Sequence, residues 1–185
     1  YINVIEKSGN RMLNIINDIV SISKIESGQM NLSYKETSIN DQIESICKVF
    51  KVEAKGKNIE LKINNTLSAA DNLISTDEEK VYAILSHLLS NALKFTDDGF
   101  IEIGCFRNNN SITFYVEDSG IGIDSNKIDV IFERFRQLDD SLNRNYDGAG
   151  LGLYISKSYT ELLGGKIWAE NNLDKGAVFY SLKTM

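Results

Sequence analysis

Apolar residues recur every three or four positions at the start of the chain and predict one long amphipathic helix, from Tyr1 to about Ser27. Its apolar face carries Ile2, Ile5, Met12, Ile16, Ile19 and Ile22. At 1.5 Å per residue this helix is roughly 40 Å long, which is too long for one compact domain to cover. The seam of Ile and Met therefore favours a partner helix, although packing on its own domain stays open. Gly28 is placed to end the helix.

The pattern changes near residue 30, and a domain boundary is predicted there. Residues 30–38 are short, polar and alternating, which is typical of an extended linker or an edge strand. Ser38 or Asn40 can then cap a second helix that runs to about Ala54.

Strict alternation over residues 59–63 predicts a half-exposed strand, and the polar residues 64–75 predict a loop with a brief extended piece near its end. A third helix is predicted to open at Thr76, which can form a capping box with Glu79. Asn91 falls on the apolar face of this helix. An amide there costs free energy unless it has a partner, which marks Asn91 as a candidate functional residue.

Two alternating strands follow the third helix and read as a hairpin, Phe100 to Arg107 and Ser111 to Glu117. A short helix is predicted over Lys127 to Phe132. The polar segment after it is long enough to be either disordered or a lid over a site. A further helix reaches about Leu163, and two strands complete the pattern, Lys166 to Asn171 and Ala177 to Lys183.

Composition narrows the class of protein. The 185 residues are 42% hydrophobic and 25% charged, as in globular domains, and no stretch approaches the roughly 18 apolar residues of a membrane helix, so a soluble fragment is expected. The net charge of −6 argues against nucleic acid as a partner. Cys47 and Cys105 read as apolar fillers, and one histidine without a His/Cys cluster of zinc spacing argues against a transition-metal site. The start at Tyr1, without a targeting segment, suggests a piece of a longer protein.

The second hairpin strand ends at Asp118 and opens into a turn that contains Gly120 and Gly122. A flat ligand with a hydrogen-bond donor can lie against this carboxylate, because residues without a Cβ let the backbone come close. The competing interpretation is an ordinary turn, since Asp, Ser and Gly are all turn formers.

Gly148, Gly150 and Gly152 precede the helix that reaches Leu163. Bare backbone N–H groups at a helix N-terminus form an anion site, and phosphate is the anion that such loops most often hold. Mere flexibility is the alternative. The segment is neither a Walker loop nor a Rossmann fingerprint, because no Gly-Lys-Ser/Thr follows it and no strand immediately precedes it.

Taken in order, these motifs resemble those of the sensor histidine kinases. HLLSNALKFT resembles the asparagine box of that family, DSGIGI and GAGLGL its first and second glycine boxes, FERF its phenylalanine box, and GGKIWAENNLDKGAVF its last box. Residues 1–30 resemble the second helix of the dimerisation and phosphoacceptor hairpin. Residues 31–185 resemble the complete catalytic, ATP-binding domain of the superfamily that also contains gyrase, the heat-shock chaperone and mismatch-repair ATPases.

The resemblance implies a site for ATP and Mg²⁺. Asp118 would accept a hydrogen bond from the adenine amino group, with Gly120 and Gly122 leaving room beside the ring. Asn91 would bind Mg²⁺ through its amide oxygen, and Lys94 would meet phosphate as a point charge. The other implied residues are Phe95 and Ile123 lining the pocket, Gly148, Gly150, Leu151, Gly152 and Leu153 closing on the phosphates, and Arg134 and Arg136 meeting the γ-phosphate or the lid. Phe132 and Phe135 would anchor the hinge of the lid or contact the nucleotide.

The chain departs from the family pattern in two places. His87, one turn before Asn91, stands where many members carry another Asn and where the hydrolysing relatives carry a glutamate, which favours transfer to a protein over hydrolysis. His87 is expected to help near the metal or to pack, rather than to accept phosphate. The phosphoacceptor histidine itself is expected upstream of Tyr1, so this chain alone should not phosphorylate itself at the family site.

The predicted fold is an α/β two-layer sandwich. Its mixed sheet of about five strands comes from segments near 31–38, 59–64, 100–107, 111–118 and 166–183, covered on one face by three helices and preceded by the long helix. The expected enzyme is an ATP:protein-histidine phosphotransferase of two-component signalling.

Its expected partners are a response regulator receiver domain and a second copy bound through the first helix. A cytoplasmic location is expected for the chain, and anchoring of the parent in the inner membrane is left open. The alternatives are a serine kinase of the anti-sigma-factor type and a non-catalytic nucleotide-binding module.

Overall fold

The structure, a computed structural model, describes residues 2–65, 67–68, 71–136, 149–172 and 175–184. Four helices and seven strands lie within these ranges. Their order is α1 (Ile2–Glu26), β1 (Lys35–Ser38), α2 (Ile39–Gly56), β2 (Ile59–Asn65), β3 (Leu73–Thr76), α3 (Glu78–Phe95), β4 (Gly99–Asn108), β5 (Ser111–Asp118), α4 (Gly152–Leu162), β6 (Lys166–Asn171) and β7 (Ala177–Thr184).

Five strands form one mixed sheet in the order β2-β4-β5-β7-β6. β2 and β4 are parallel, and the other neighbouring pairs are antiparallel. The segment near residues 31–38 was expected in this sheet, and that assignment is wrong. Its strand β1 pairs instead with β3 in a separate two-stranded ribbon, with Thr37 opposite Ile74. The count of five still holds because the segment 166–183 forms two strands.

The helices α2, α3 and α4 pack on one face of this sheet, as the alternation of apolar residues requires. In β4, Ile101 and Ile103 point to the helices and are fully buried, and Leu88 and Leu89 of α3 are fully buried in the same core. Among the described residues no helix covers the opposite face. The predicted two-layer fold is therefore confirmed.

Two details of the helices differ from the sequence pattern. Asp77, not Thr76, caps α3, because the Asp77 carboxylate accepts the Lys80 N–H at 3.1 Å. Residues 127–132 form consecutive turns and not a helix. β-Branched residues at 128, 130 and 131 weaken helical propensity there, and Asp124 already binds the Asn126 N–H at 3.0 Å.

Helix α1 ends where predicted, since Gly28 adopts a φ of 65° and the Gln29 N–H returns to the carbonyl of Lys24. Its last turns lie against the rest of the chain through the buried Ile22. Earlier apolar residues of α1 stay exposed, with Met12 at 65% and Ile16 at 49%. Within the described residues no helix is long and apolar enough to span a bilayer.

Candidate functional site

The last two turns of α3 connect the two glycine-rich segments. His87, Asn91 and Phe95 recur at intervals of four residues and share one face of the helix. At one end, a Cβ on Gly152 would lie 3.4 Å from the Cγ atom of His87. At the other end, the carbonyl of Phe95 accepts the Ile121 N–H at 3.3 Å. Asn91 is one turn from each contact and therefore lies between the two segments.

Asn91 itself is half-buried, and its side chain has no hydrogen bond to any part of the chain that the structure describes. Because part of the side chain is accessible, a ligand can reach the amide without displacing a partner from the protein. An amide oxygen is a hard ligand of the kind that Mg²⁺ takes together with phosphate and water oxygens. The side chain thus offers an unused oxygen between the two glycine segments.

Asp118 ends β5 with only 4% of its surface exposed. Burial raises the pKa of this carboxyl, and the N–H groups of Gly120 and Ala177 counter that effect in part. The Gly120 N–H donates to Oδ1 at 2.8 Å. A carboxylate has about four acceptor positions, so the carboxylate of Asp118 keeps capacity for a donor from a ligand.

The glycines of this turn serve close contacts inside the protein. A Cβ on Gly120 would lie 2.3 Å from the carbonyl oxygen of Phe95, so only glycine lets the turn approach the end of α3. Gly122 has a φ of 74°, which a residue with a side chain rarely adopts. The turn is therefore built to hold Asp118 beside the last turn of α3.

Three residues that fix this turn escaped the sequence analysis as site residues. Asn171, the last residue of β6, accepts the Ile123 N–H at 2.7 Å and donates to the Ile123 carbonyl at 2.5 Å. Asn172 donates to the carbonyl of Asp118 at 3.4 Å. A Cβ on Gly176 would lie 1.9 Å from that same carbonyl. The adjacent asparagines at the end of a strand were the available signal.

The second glycine segment opens α4. Gly148 lies outside the described residues. Leu151 is 1% exposed and occupies the cap position, but no side chain caps the first N–H groups of the helix. Leu153 is half-buried in the first turn of α4. Gly150 has a φ of 69° and accepts the Phe135 N–H at 3.1 Å, which ties this segment to the FERF segment. Uncapped N–H groups at a helix start are suited to an anion.

The cationic residues differ in how they relate to the site. The Nζ atom of Lys94 lies 4.8 Å from the ring centre of Phe95, and both residues are half-buried at the end of α3. Arg134 is directed elsewhere: it forms an ion pair with Glu26 of α1 and donates to the Tyr154 hydroxyl at 2.6 Å. Arg136 pairs with Glu133 at 2.9 Å. Neither arginine is placed against Asn91 or Asp118.

His87 joins three helices. Its Nδ1 atom lies 3.5 Å from the Ser156 hydroxyl in α4, and its Nε2 atom lies 3.9 Å from a carboxylate oxygen of Asp18 in α1. Burial lowers the pKa of His87 to about 4 and raises that of Asp18. At neutral pH the imidazole is therefore uncharged, which suits the expected role of packing or helping near the metal.

The donor set fits a nucleotide with its metal better than a metal alone. No group of three or more His, Cys, Asp or Glu that could hold a metal exists among the described residues. One amide oxygen, one buried carboxylate and an uncapped helix start instead match a ligand that supplies its own phosphate oxygens.

Comparison with known proteins agrees with this chemistry. Residues 76–184 match the family model of the histidine kinase-, DNA gyrase B- and HSP90-like ATPases. The chain is 36% identical to the autoinducer 2 sensor kinase/phosphatase LuxQ of Vibrio vulnificus strain YJ016, over 97% of this chain and 22% of LuxQ. The chain thus spans about a fifth of the length of such curated relatives.

Two solved structures share the fold. Full-length ShkA in complex with AMPPNP has a TM-score of 0.86 at 26% identity, over 99% of this chain and 38% of that one. The histidine kinase ThkA in complex with the response regulator protein TrrA has a TM-score of 0.76 over 100% of this chain and 50% of that one. At 24% identity the second likeness concerns the fold alone.

Proposed function

The chain belongs to the histidine kinase-, DNA gyrase B- and HSP90-like ATPase family, and we propose that it is the ATP-binding catalytic domain of a two-component sensor histidine kinase. The observation that carries the proposal is the position of Asn91, half-buried and without a described hydrogen bond, between the glycine turn of Asp118 and the uncapped start of α4. The Asp118 turn can bind a base, Asn91 can bind a metal, and the start of α4 can bind phosphates, in the order in which a nucleotide presents them.

In this proposal each residue has one task. Asp118 accepts the adenine amino hydrogen and so selects the base, while Phe95 and Ile123 line the pocket. The carbonyl oxygen of the Asn91 amide holds Mg²⁺, which when bound neutralises charge on the phosphate oxygens. Lys94 meets phosphate as a point charge. The remaining phosphate contacts belong to the N–H groups of the glycine segment, namely Gly148, Gly150, Leu151, Gly152 and Leu153.

The acceptor of the γ-phosphate is a histidine of a helix that precedes α1 in the parent protein, and an aspartate of a response regulator receives the phosphate next. In this assignment residues 1–30 are the second helix of the dimerisation hairpin and residues 31–185 are the catalytic domain. The exposed apolar side chains of α1, such as Met12 and Ile16, support pairing with a second copy. We place this domain on the cytoplasmic side.

The nucleotide site is tested by calorimetric titration of the chain with AMPPNP, with and without Mg²⁺. A hydrogen bond to a charged group contributes about 1.5–3 kcal/mol, so Asp118→Ala should weaken binding by roughly 10- to 150-fold. Asp97→Ala removes an exposed carboxylate near the end of α3 and should leave affinity unchanged. Undiminished binding by a folded Asp118→Ala variant would overturn the pocket assignment.

Phosphoryl transfer is tested on a longer chain that includes the preceding helix. Incubation with γ-labelled ATP should yield phosphoprotein that is labile in acid and stable in base, as phosphohistidine is. Acid-stable phosphate on a separate protein substrate would instead indicate the serine kinase alternative. Binding of AMPPNP without any transfer would indicate a non-catalytic nucleotide-binding module.

A further inference from the structure

The face of the five-stranded sheet opposite α2, α3 and α4 carries two adjacent rows of side chains with different chemistry. Strand pairing aligns Glu102, Glu117, Val178 and Glu170 across β4, β5, β7 and β6; we name these the carboxylate row. Two residues along each strand, pairing aligns Gly104, Tyr115, Tyr180 and Trp168; we name these the aromatic row. No residue of either row is among the candidate nucleotide-site residues, although Asn172 donates both to Glu117 and to the carbonyl of Asp118.

The aromatic row is a line of partly exposed rings. The rings of Trp168 and Tyr180 are stacked, with centroids 5.0 Å apart and planes inclined by 17°. Tyr115 lies over its neighbour Gly104, where a Cβ would come within 2.8 Å of the ring. All three rings are half-buried, and the Tyr115 ring lies tilted against that of Phe106 with centroids 6.2 Å apart. Trp168 and Tyr180 cover one face of each other, and the part of the three rings that stays exposed is available to a ligand.

The carboxylate row conflicts with the stability of the sheet. Glu102 and Glu117 stand directly opposite each other on adjacent antiparallel strands, and like charges in that position are destabilising. The hydrogen bonds that the structure gives these carboxylates come from neutral donors: Tyr115 donates to Glu102 at 2.7 Å and Asn172 donates to Glu117 at 3.1 Å. Glu170 likewise accepts from the indole of Trp168 at 3.1 Å. Lys62 on β2 stands opposite Glu102 and offsets part of this repulsion, whereas Glu117 faces Val178 on its other side, so a surplus of negative charge remains beside the aromatic row.

A cation is already held in the same manner at one edge of this face. The Nζ atom of Lys62 on β2 lies 4.5 Å from the ring centre of Phe100 and 3.3 Å from the carboxylate of Glu60. Ring and carboxylate together thus hold an ammonium group. Lys62 pairs directly opposite Glu102, so this ammonium group lies at the β2 end of the carboxylate row, and the two rows offer the same combination of ring and carboxylate farther along the sheet.

We propose that this face binds a segment of a partner protein that carries arginine side chains. A guanidinium group stacks on aromatic faces and forms bidentate pairs with carboxylates, so the two rows satisfy both of its preferences. The rows are about 7 Å apart along the strands, which one arginine side chain can bridge. A second copy of this chain would set carboxylate against carboxylate, and nucleic acid would be repelled.

Trp168 is the only tryptophan of the chain and reports directly on this face. The test follows its emission while the full chain is titrated with a blocked nonapeptide of alternating arginine and glycine. We expect a saturable change that weakens with salt. The corresponding lysine peptide should bind at least about threefold more weakly, because an ammonium group cannot stack or form bidentate pairs, and the glutamate peptide should not bind.

Matched double variants locate the site. Glu102→Gln with Glu117→Gln should weaken binding of the arginine peptide at least about tenfold, since the charge-assisted hydrogen bonds are lost. Glu36→Gln with Glu53→Gln, two exposed positions elsewhere, changes the net charge equally and should have little effect. The first variant should also melt at the same or a higher temperature, because it relieves the repulsion.

Three results would overturn the proposal. The first is the absence of a saturable emission change. The second is equal weakening by both double variants, which would mean attraction by net charge alone. The third is an emission change that follows protein concentration together with dimer formation, which would make the face a contact between copies.

Discussion

Asp118 is a carboxylate that the fold holds almost entirely out of water, and its proposed task explains why. Burial raises its pKa, so the folded protein holds a proton that the unfolded chain has released at the same pH. Stability from this group is therefore fully present below its ordinary pKa of 3.8 and is lost as the pH rises through the raised pKa. At neutral pH the ionised carboxylate of Asp118 lowers the stability of the fold. A hydrogen-bond donor of a bound ligand offsets that cost.

Asp118→Asn should accordingly be more stable than the wild type near neutral pH and bind AMPPNP more weakly. The amide keeps the shape and can still accept an N–H bond, but it carries no charge to desolvate. Urea unfolding measured near pH 7 and again below the ordinary pKa of 3.8 checks this. The stability advantage of Asp118→Asn should vanish at the lower pH. A variant that is less stable near pH 7 would show that the N–H bonds outweigh the cost of burial.

His87 should make stability fall as the solution becomes mildly acidic. Its pKa is lowered from 6.5 to about 4, so the unfolded chain takes up a proton in this window and the folded protein does not. Stability is complete above 6.5, and the expected loss between about pH 7 and about pH 5 is roughly 2 kcal/mol.

His87→Asn should remove that loss, because asparagine does not titrate. Urea unfolding of the wild type and the variant at both pH values gives the comparison. Asp18, whose pKa burial raises, changes stability in the opposite sense, so it offsets part of the loss from His87 where the two titrations overlap. An identical loss in the two proteins would assign the pH dependence to other groups.

At the residue scale, the sequence identified residues that are chemically unusual in their local pattern. It missed residues whose role depends only on their position in the fold. Asn91 was identifiable because an amide on an apolar helix face conflicts with the pattern around it. Asn171 and Asn172 gave no such conflict, since asparagine is ordinary at a strand end. Their role depends on β6 ending beside the turn after β5, and that is a property of the sheet order.

Helices and strands could be predicted where the apolar residues follow a single period. The prediction failed where pairing between distant segments determines the structure. α3 and the β4–β5 hairpin follow from local pattern alone. The partner of β1 could not be read locally, because antiparallel pairing with β3 joins segments more than thirty residues apart. Residues 127–132 have apolar spacing compatible with a helix, yet β-branched side chains and local side-chain hydrogen bonds favour consecutive turns.

The attachment of helix α1 to the catalytic domain should depend on Ile22 more than on any other apolar side chain of α1. Ile22 is 8% exposed, whereas Ile19, one turn earlier on the same helix, is 51% exposed. Ile22→Ala should therefore cost about 2–4 kcal/mol or release the end of α1, and Ile19→Ala should change stability by about 0.5 kcal/mol or less. Hydrogen exchange of α1 amides distinguishes release from global destabilisation. Equal effects of both substitutions would contradict this attachment.

Over the whole molecule, Arg134 connects α1 to the segment that precedes the second glycine segment. Arg134 follows the turns that lead to the glycine segment, and here it pairs with Glu26 at the last turn of α1 and lies 4.4 Å from the ring centre of Tyr154. The sequence resemblance assigns the same guanidinium to the γ-phosphate or the lid. If both assignments hold, Glu26 and nucleotide compete for it, and each must weaken the other to the same degree.

Glu26→Gln should then tighten AMPPNP binding, because the guanidinium is no longer held at α1. The ion pair is largely exposed, so the gain should be at most about fivefold. Arg134→Ala should weaken binding, and adding Glu26→Gln to it should have no further effect, since the competition requires the arginine. Calorimetric titration of the four proteins completes the cycle. Weaker binding by Glu26→Gln alone would mean that docked α1 supports the nucleotide site and does not compete with it.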